Sequence, residues 1–163
     1  MKNAILYVCT ALLVLVVSAS AWAQDAKPNF TGKWNLDVAK SDFGQMPPPD
    51  SVVHVIEHKE PNLKVVTTTK SAQGEITNER SLTTDGKENV NKMRMGPEEQ
   101  QVTSTSKWNG KSLATSFKLS SQGTEFEISD SWTLSDDGKV LTVSRGIKAP
   151  QGEFASTTVF NKQ

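Results

Sequence analysis

Apolar and polar residues alternate in short runs along most of this chain. The clearest pair of runs spans residues 125–147 and is divided by Asp137-Gly138, a dipeptide that favours a tight turn. Apolar side chains occupy most of the alternate positions on both sides of that turn: Phe126, Ile128, Trp132, Leu134, Leu141, Val143 and Ile147. Because successive side chains of a strand point to opposite faces, this pattern predicts an antiparallel hairpin with one apolar face.

The same pattern recurs at intervals of about ten residues, separated by turn residues such as Asn109-Gly110. It predicts strands at residues 30–38, 52–59, 63–70, 75–83, 87–93, 101–108, 111–119, 124–134, 139–147 and 153–161. No window shows an apolar stripe of helical period and useful length. Short strands joined by tight turns, without a long crossover, predict an all-β domain folded as an antiparallel up-and-down β-barrel of about 8–10 strands.

The connection between the first two predicted strands, residues 39–50, is rich in proline. Pro47-Pro48-Pro49 cannot continue a strand ladder and favours extended, solvated backbone. We expect this segment to be a loop that forms a partial lid over the barrel. A proline-rich recognition motif is the alternative interpretation.

The first 23 residues have the features of a secretory signal peptide. Lys2 supplies a positive start, residues 5–17 form an apolar run, and Ala21-Trp22-Ala23 fits a small-x-small cleavage site. An apolar run of about 13 residues is too short to span a bilayer as a helix. We therefore expect cleavage after Ala23, a single mature domain of residues 24–163, a secreted or periplasmic location, and no membrane insertion after cleavage.

Charge and cysteine content exclude several classes of function. The chain has 18 Lys and Arg against 18 Asp and Glu, which gives no electrostatic footprint for nucleic acid. Its single cysteine, Cys9, lies within the predicted signal peptide, so the mature protein has no thiol for catalysis or thiolate metal ligation. No phosphate-binding loop or nucleophile motif occurs. We expect a non-enzymatic monomer with no catalytic residues, no cofactor and no metal.

The two ends of the mature chain carry a family resemblance. The motifs are Phe30-x-Gly32-x-Trp34-x-Leu36 near the start and Val159-Phe160-x-Lys162 at the end. With the run of hairpins between them, the chain resembles the calycin superfamily, and most closely small secreted bacterial lipocalin-like proteins. The resemblance implies a lipocalin-like barrel that binds a small apolar or amphipathic molecule.

The chain departs from the fatty-acid-binding proteins of that superfamily in two respects. Those proteins carry a helical lid after the first strand, where this chain has its proline-rich loop. Their Arg-x-Tyr motif on the last strand is also absent here. Their carboxylate site therefore cannot be transferred to this chain.

The register of the 125–147 hairpin decides whether charged side chains enter the barrel. A two-residue Asp137-Gly138 loop pairs Trp132 with Val143 and Asp130 with Arg145, which places that charge pair on the apolar face. A three-residue loop with a bulge at Gly138 would turn Arg145 outward. We prefer the first register because it gathers the apolar residues of both strands on one face.

Arg80 shares a strand face with Ile76 and Leu82, so a second cation is expected inside. Arg80, Arg145 and Asp130 together leave one positive charge that could pair with an acidic ligand head. We predict a ligand-binding site made of Arg80, Asp130, Trp132 and Arg145. Two structural interpretations remain: Asp130 and Arg145 form an ion pair that only supports the fold, or Arg145 stacks on Trp34 and closes one barrel end.

His54 and His58 share a strand face but lie too far apart for one metal ion, so we expect surface histidines. Two functions from different classes follow. The first is a lipocalin-like protein that binds a small apolar or amphipathic molecule. The alternative is a ligand-free interaction module of the cell envelope, whose interior is filled and whose proline-rich loop contacts another protein.

Overall fold

The computed structural model of the protein describes residues 27–95, 98–121 and 123–163. This part of the chain forms ten strands and one turn of 3-10 helix, Val38–Lys40, which follows the first strand. The strands are β1 (Gly32–Leu36), β2 (Ser51–Lys59), β3 (Asn62–Ser71), β4 (Gly74–Thr83), β5 (Asp85–Met95), β6 (Glu98–Asn109), β7 (Ser112–Ser121), β8 (Thr124–Leu134), β9 (Val140–Ala149) and β10 (Gly152–Lys162).

The ten strands form one antiparallel sheet that curls into a nearly closed barrel. Their order in the sheet is β4-β3-β2-β1-β10-β9-β8-β7-β6-β5, so the first strand pairs with the last. The ends of this order, β4 and β5, lie side by side without a backbone ladder between them. We call the junction of β4 and β5 the seam.

The predicted all-β barrel is confirmed, and the strand bounds differ from those predicted by at most three residues. The tight turn between β4 and β5 does not lead to a backbone-paired hairpin. There, Thr84 donates its backbone N–H to the Pro61 carbonyl, 2.8 Å away, and its hydroxyl to Glu60. These bonds hold the end of β4 against the β2–β3 turn, and β5 leaves without pairing to β4.

The predicted register of the β8–β9 hairpin is confirmed. Trp132 pairs with Val143, and Asp130 pairs with Arg145. The turn itself is longer than the predicted two-residue loop, because Gly138 donates its N–H to the Ser135 carbonyl and the turn spans residues 135–138. Gly138 adopts a φ of 68° at its end, with no bulge that would shift Arg145.

Two apolar clusters fill opposite parts of the interior. The larger surrounds Trp34 and Phe30, both fully buried, and includes Trp132 and Phe160. Trp34 donates its Nε1–H to the Phe30 carbonyl at 2.9 Å, which holds the incoming chain against the barrel end. The smaller cluster consists of Val102, Phe117, Leu119 and Ile128.

The proline-rich loop lies against β10. Asp42 and Thr157 exchange two backbone hydrogen bonds of 2.7 Å, and Gly44 packs against the Ala155 carbonyl. Beyond this anchor, Met46, Pro47 and Pro49 cover part of an interior cavity. The predicted signal peptide lies outside the described residues, and none of the helical structure that is described is long and apolar enough to cross a membrane.

Candidate ligand cavity

A cavity of about 450 Å³ lies between the two apolar clusters. Its walls include members of both, such as Trp132 and Phe160 on one side and Phe117 and Ile128 on the other. All four predicted site residues line it: Arg80, Asp130, Trp132 and Arg145. The structure therefore brings together every residue of the predicted site around one cavity.

Asp130 and Arg145 form a two-point ion pair on the cavity wall. Arg145 donates Nε–H and Nη2–H to the two carboxylate oxygens of Asp130, each over 2.7 Å. Burial disfavours the charged guanidinium, but the hydrogen bonds and charge of Asp130 outweigh it and raise the pKa of Arg145. As an ion pair, the two side chains together contribute no net charge to the cavity.

Arg80 is a second cation in the cavity, and it has no such partner. Only 8% of the residue is exposed, yet within the described residues its guanidinium makes neither a hydrogen bond nor an ion pair. Burial lowers the pKa of Arg80, Asp130 acts on it through space to raise it, and Arg145 lowers it further. An arginine retains its charge despite such burial, so one buried positive charge remains available.

Trp132 lies beneath Arg80 and presents a second free donor. The Arg80 guanidinium carbon is 5.9 Å from the Trp132 ring centroid, a cation–π contact. The indole Nε1–H is buried, and no acceptor among the described residues bonds to it. Buried donors normally have partners, so two adjacent donors without one mark a place where an acceptor can bind.

His54 lies inside the barrel, and the expectation of a surface histidine is wrong. It is 8% exposed, its ring centroid is 4.4 Å from that of Phe160, and its Nδ1 lies 2.9 Å from the Thr67 hydroxyl. Burial, followed by the positive charges of Arg80 and Arg145, lowers its pKa to about 3. His54 is therefore a neutral polar group of the cavity wall at physiological pH.

His58 is buried as well, at the closed end of the barrel. Its Nδ1 accepts the Phe30 backbone N–H at 3.2 Å, and its Nε2 lies 3.0 Å from Glu60. Because Nδ1 accepts, the proton is on Nε2 and points to Glu60, which also accepts from Trp108 at 2.8 Å. Burial opposes ionisation of Glu60, but the hydrogen bonds from Thr84, Trp108 and His58 outweigh it and lower its pKa. This network is structural and does not face the cavity.

The alternative interpretation, in which Arg145 stacks on Trp34, is wrong. Lys162 lies over the Trp34 ring instead, 5.1 Å from its centroid, whereas Arg145 lies 5.9 Å from the Phe117 ring. The cation closing the Trp34 end therefore comes from the last strand, and Arg145 stays available to the cavity wall.

The cavity contains little that could act as an acid–base or metal site. Asp130 is the only carboxylate among its lining residues and is committed to Arg145. No group of three or more potential metal ligands occurs within residues 27–95, 98–121 and 123–163. The arrangement suits binding through positive charge, donors and apolar contact.

Fold and cavity together define a small antiparallel β-barrel with a partly polar interior. No protein-family profile and no curated protein sequence matches the chain. Solved structures do match. Zebrafish ileal bile acid-binding protein, crystallised with cholic acid, is 15% identical with a TM-score of 0.54, over 82% of this chain and 98% of that chain.

Secretory abundant heat soluble protein 4 from Ramazzottius varieornatus is also similar, with a TM-score of 0.53 and 15% identity. The match covers 84% of this chain and 96% of that one. At this level of identity the two comparisons establish a shared fold.

Proposed function

We propose that this protein is a non-enzymatic binding protein for a small amphipathic molecule with a singly charged anionic head. The observation that carries the proposal is the Arg80 guanidinium, which belongs to a buried residue and has no hydrogen-bonded acceptor among the described residues. It lies against the Trp132 ring, whose buried Nε1–H also has no acceptor there. A carboxylate offers two acceptor oxygens and one negative charge, which matches a guanidinium and a neighbouring N–H.

The charge of the cavity supports a monoanion. Asp130 and Arg145 neutralise each other, and His54 is neutral. Two further cations line the cavity: Arg94, which is exposed beside the seam, and Arg80, which leaves one positive charge in the buried part of the wall. A ligand with one negative charge would remove this imbalance. A neutral ligand would leave the guanidinium buried and unpaired, which costs free energy.

The apolar part of the ligand would occupy the other end of the cavity. Phe117, Leu119, Ile128 and Ile147 line it there, away from the Trp132 ring. Apolar burial supplies most of the affinity in such sites, and a few placed polar groups orient the ligand. The zebrafish neighbour, solved with cholic acid, shows that a barrel of this fold can hold an amphipathic acid.

A secreted or periplasmic location with cleavage after Ala23 belongs to the same proposal. The support is the residue pattern of positions 1–23. Intact mass and N-terminal sequencing of the protein recovered outside the cytoplasm should give a chain beginning at Gln24. A chain that retains Met1 or the apolar run would contradict this part of the proposal.

The ligand-free interaction module is not favoured, because it calls for a filled interior and a cavity of about 450 Å³ lies between the two apolar clusters. Binding can be tested with 11-(dansylamino)undecanoic acid and its methyl ester. We expect the acid to bind more tightly than the ester, and Arg80→Met to weaken binding of the acid by about 10- to 100-fold while changing the ester little.

Lys118→Met is the matched control, because it removes one cation from the outer face, where Lys118 pairs with Glu127. It should leave both affinities unchanged. Equal affinity for acid and ester in the unmodified protein, or equal losses in both variants, would refute the anionic-head proposal.

A further inference from the structure

The seam between β4 and β5 is held by asparagine side chains in place of a backbone ladder. Asn91 accepts the Ser81 backbone N–H at 2.7 Å and donates to the Ser81 carbonyl at 3.0 Å. Asn78 does the same in the opposite direction, accepting the Arg94 N–H at 2.7 Å and donating to the Arg94 carbonyl at 3.0 Å. Each amide thus occupies the place that a neighbouring strand would take. We call these four bonds the amide clasp.

The amide clasp joins two strands that have no backbone ladder between them. Neighbouring strands elsewhere in the sheet share runs of paired residues, ten in the case of β9 and β10. Across the seam, the Thr83 hydroxyl also accepts from the Asn89 amide at 3.2 Å and hydrogen-bonds the Asp85 side chain. A side-chain amide can rotate away without breaking a cooperative ladder, so the seam can open locally while the other ladders remain intact.

The seam is also where the barrel wall separates the cavity from an outer depression. Asn78 and Arg94 line the interior cavity, and the same two residues line a depression of about 430 Å³ on the outer surface. The outer depression also includes Ser81 and Asn91, the second half of the clasp. Opening the amide clasp would therefore join the two spaces.

We propose that the seam is the passage through which ligand enters and leaves the cavity, with the amide clasp as its latch. This inference rests on the proposed function and adds the route to the site. Arg80 lies on β4 between Asn78 and Ser81, the two points where that strand is clasped. An anionic head passing through the open seam meets the Arg80 guanidinium on the strand that forms its edge.

The competing route is the mouth of the cavity, the opening that the proline-rich loop covers with Met46, Pro47 and Pro49. That loop is held by backbone hydrogen bonds. The proline-rich loop is tied by the paired backbone bonds of Asp42 and Thr157 and by the Asp50 N–H, which donates to the Lys70 carbonyl at 2.9 Å. The Ser41 hydroxyl adds a bond from the Val159 N–H at 3.0 Å. Backbone bonds at both ends must break before this loop can leave.

The test is the rate of binding, measured by stopped-flow fluorescence with 11-(dansylamino)undecanoic acid. Asn91→Ala removes half of the amide clasp without touching the cavity lining. We expect association and dissociation rate constants both to rise by about tenfold, with the dissociation constant changing less than about twofold. Ser116→Ala is the matched control: it removes an outer-face hydroxyl bond to Thr105 of 3.0 Å between two backbone-paired strands, and it should change neither rate.

Two outcomes would overturn the passage. One is unchanged rates in Asn91→Ala. The other is faster binding in Pro47→Gly/Pro49→Gly but not in Asn91→Ala, which would place the passage at the mouth.

If the unmodified protein binds no probe, the proposed function is refuted but the proposed passage is not. A separate measurement then tests the passage. Acrylamide quenching of the interior tryptophans should then still increase in Asn91→Ala and not in Ser116→Ala, because the opened seam admits small solutes. Quenching that is equal in the two variants would reject the passage itself.

Discussion

Arg145 holds the Asp130 carboxylate with two parallel hydrogen bonds of 2.7 Å across the β8–β9 pair. The two side chains are unequally buried: that of Asp130 is fully buried, and that of Arg145 is 36% exposed. The carboxylate is therefore the central member of a triad, with Arg145 bonded to it and Arg80 acting on it through space.

Asp130→Asn should destabilise the protein more than Arg145→Met. The first change leaves two cations, the buried Arg80 and the partly exposed Arg145, without a counter-charge. The second leaves Asp130 opposite Arg80 with no net charge. We expect a loss of about 3–5 kcal/mol in the free energy of unfolding for Asp130→Asn and a clearly smaller one for Arg145→Met. Urea unfolding at pH 7 measures both, and an equal or reversed order would contradict the triad.

Acidification should destabilise the protein through His54. The pKa of His54 is lowered to about 3 in the folded state, below the unfolded value of 6.5, so the unfolded chain binds the proton first as pH falls. The stability contributed by neutral His54 is therefore present above pH 6.5 and is lost progressively toward pH 3, with about 2 kcal/mol lost between pH 7 and pH 5.

His54→Gln removes the titrating group and retains a polar side chain beside Thr67. Between pH 7 and pH 5, the free energy of unfolding of His54→Gln should fall by about 2 kcal/mol less than that of the unmodified protein. Urea titrations at the two pH values measure this difference. An unchanged difference would mean that His54 does not set the acid sensitivity.

Alanine substitutions at two glycines with similar backbone angles distinguish the cost of backbone strain from the cost of a steric clash. Gly44 has a φ of 60° and Gly138 a φ of 68°, both in the left-handed region. A methyl group at Gly138 meets nothing within 4 Å, whereas one at Gly44 collides with the Ala155 carbonyl oxygen. Gly138→Ala should cost about 1 kcal/mol and Gly44→Ala at least about 2 kcal/mol more, measured by thermal unfolding.

Phe30 closes one end of the barrel as an aromatic plug. It is fully buried and stacks on His58 and Trp108, with ring centroids 5.7 and 5.8 Å away. Phe30→Ala should lower the free energy of unfolding by about 3–5 kcal/mol and shift tryptophan emission to longer wavelength. Phe43→Ala, at the half-buried mouth, serves as the comparison and should cost much less; similar losses would argue against a plug.

The hairpin register was predictable because burial and turn chemistry agree there. Apolar residues on both sides of Asp137-Gly138 share one face only in the observed register, so Asp130 and Arg145 had to share that face too. Arg80 could be placed by the same alternation beside Leu82. That Arg80 has no hydrogen-bond partner among the described residues could not be predicted, because this depends on which strands face each other across the barrel.

The buried histidines were missed because both faces of β2 carry apolar residues. Ile56 lies on the same face as His54 and His58, while Val55 on the opposite face is 44% exposed. Hydropathy alone therefore could not choose the inner face. The even spacing of the two histidines around Ile56 was the available indication, and the aromatic neighbours that bury them come from distant strands.

The seam was not predictable from local patterns, since Thr84-Asp85-Gly86 has ordinary turn chemistry. What separates β4 from β5 is a tertiary contact, the bonds of Thr84 to Pro61 and Glu60. Asn78 and Asn91 look like unremarkable polar positions until the two strands are placed side by side.

The amide clasp also bears on how copies of this protein behave at high concentration. Free strand edges are templates for pairing with another chain, and β4 and β5 each present one. By occupying the backbone groups of Ser81 and Arg94, the two asparagines cap these edges from within the same molecule. The two side-chain amides thus protect both edges of the open sheet against pairing with a strand of a neighbouring molecule, a protection that a fully closed barrel obtains from backbone pairing.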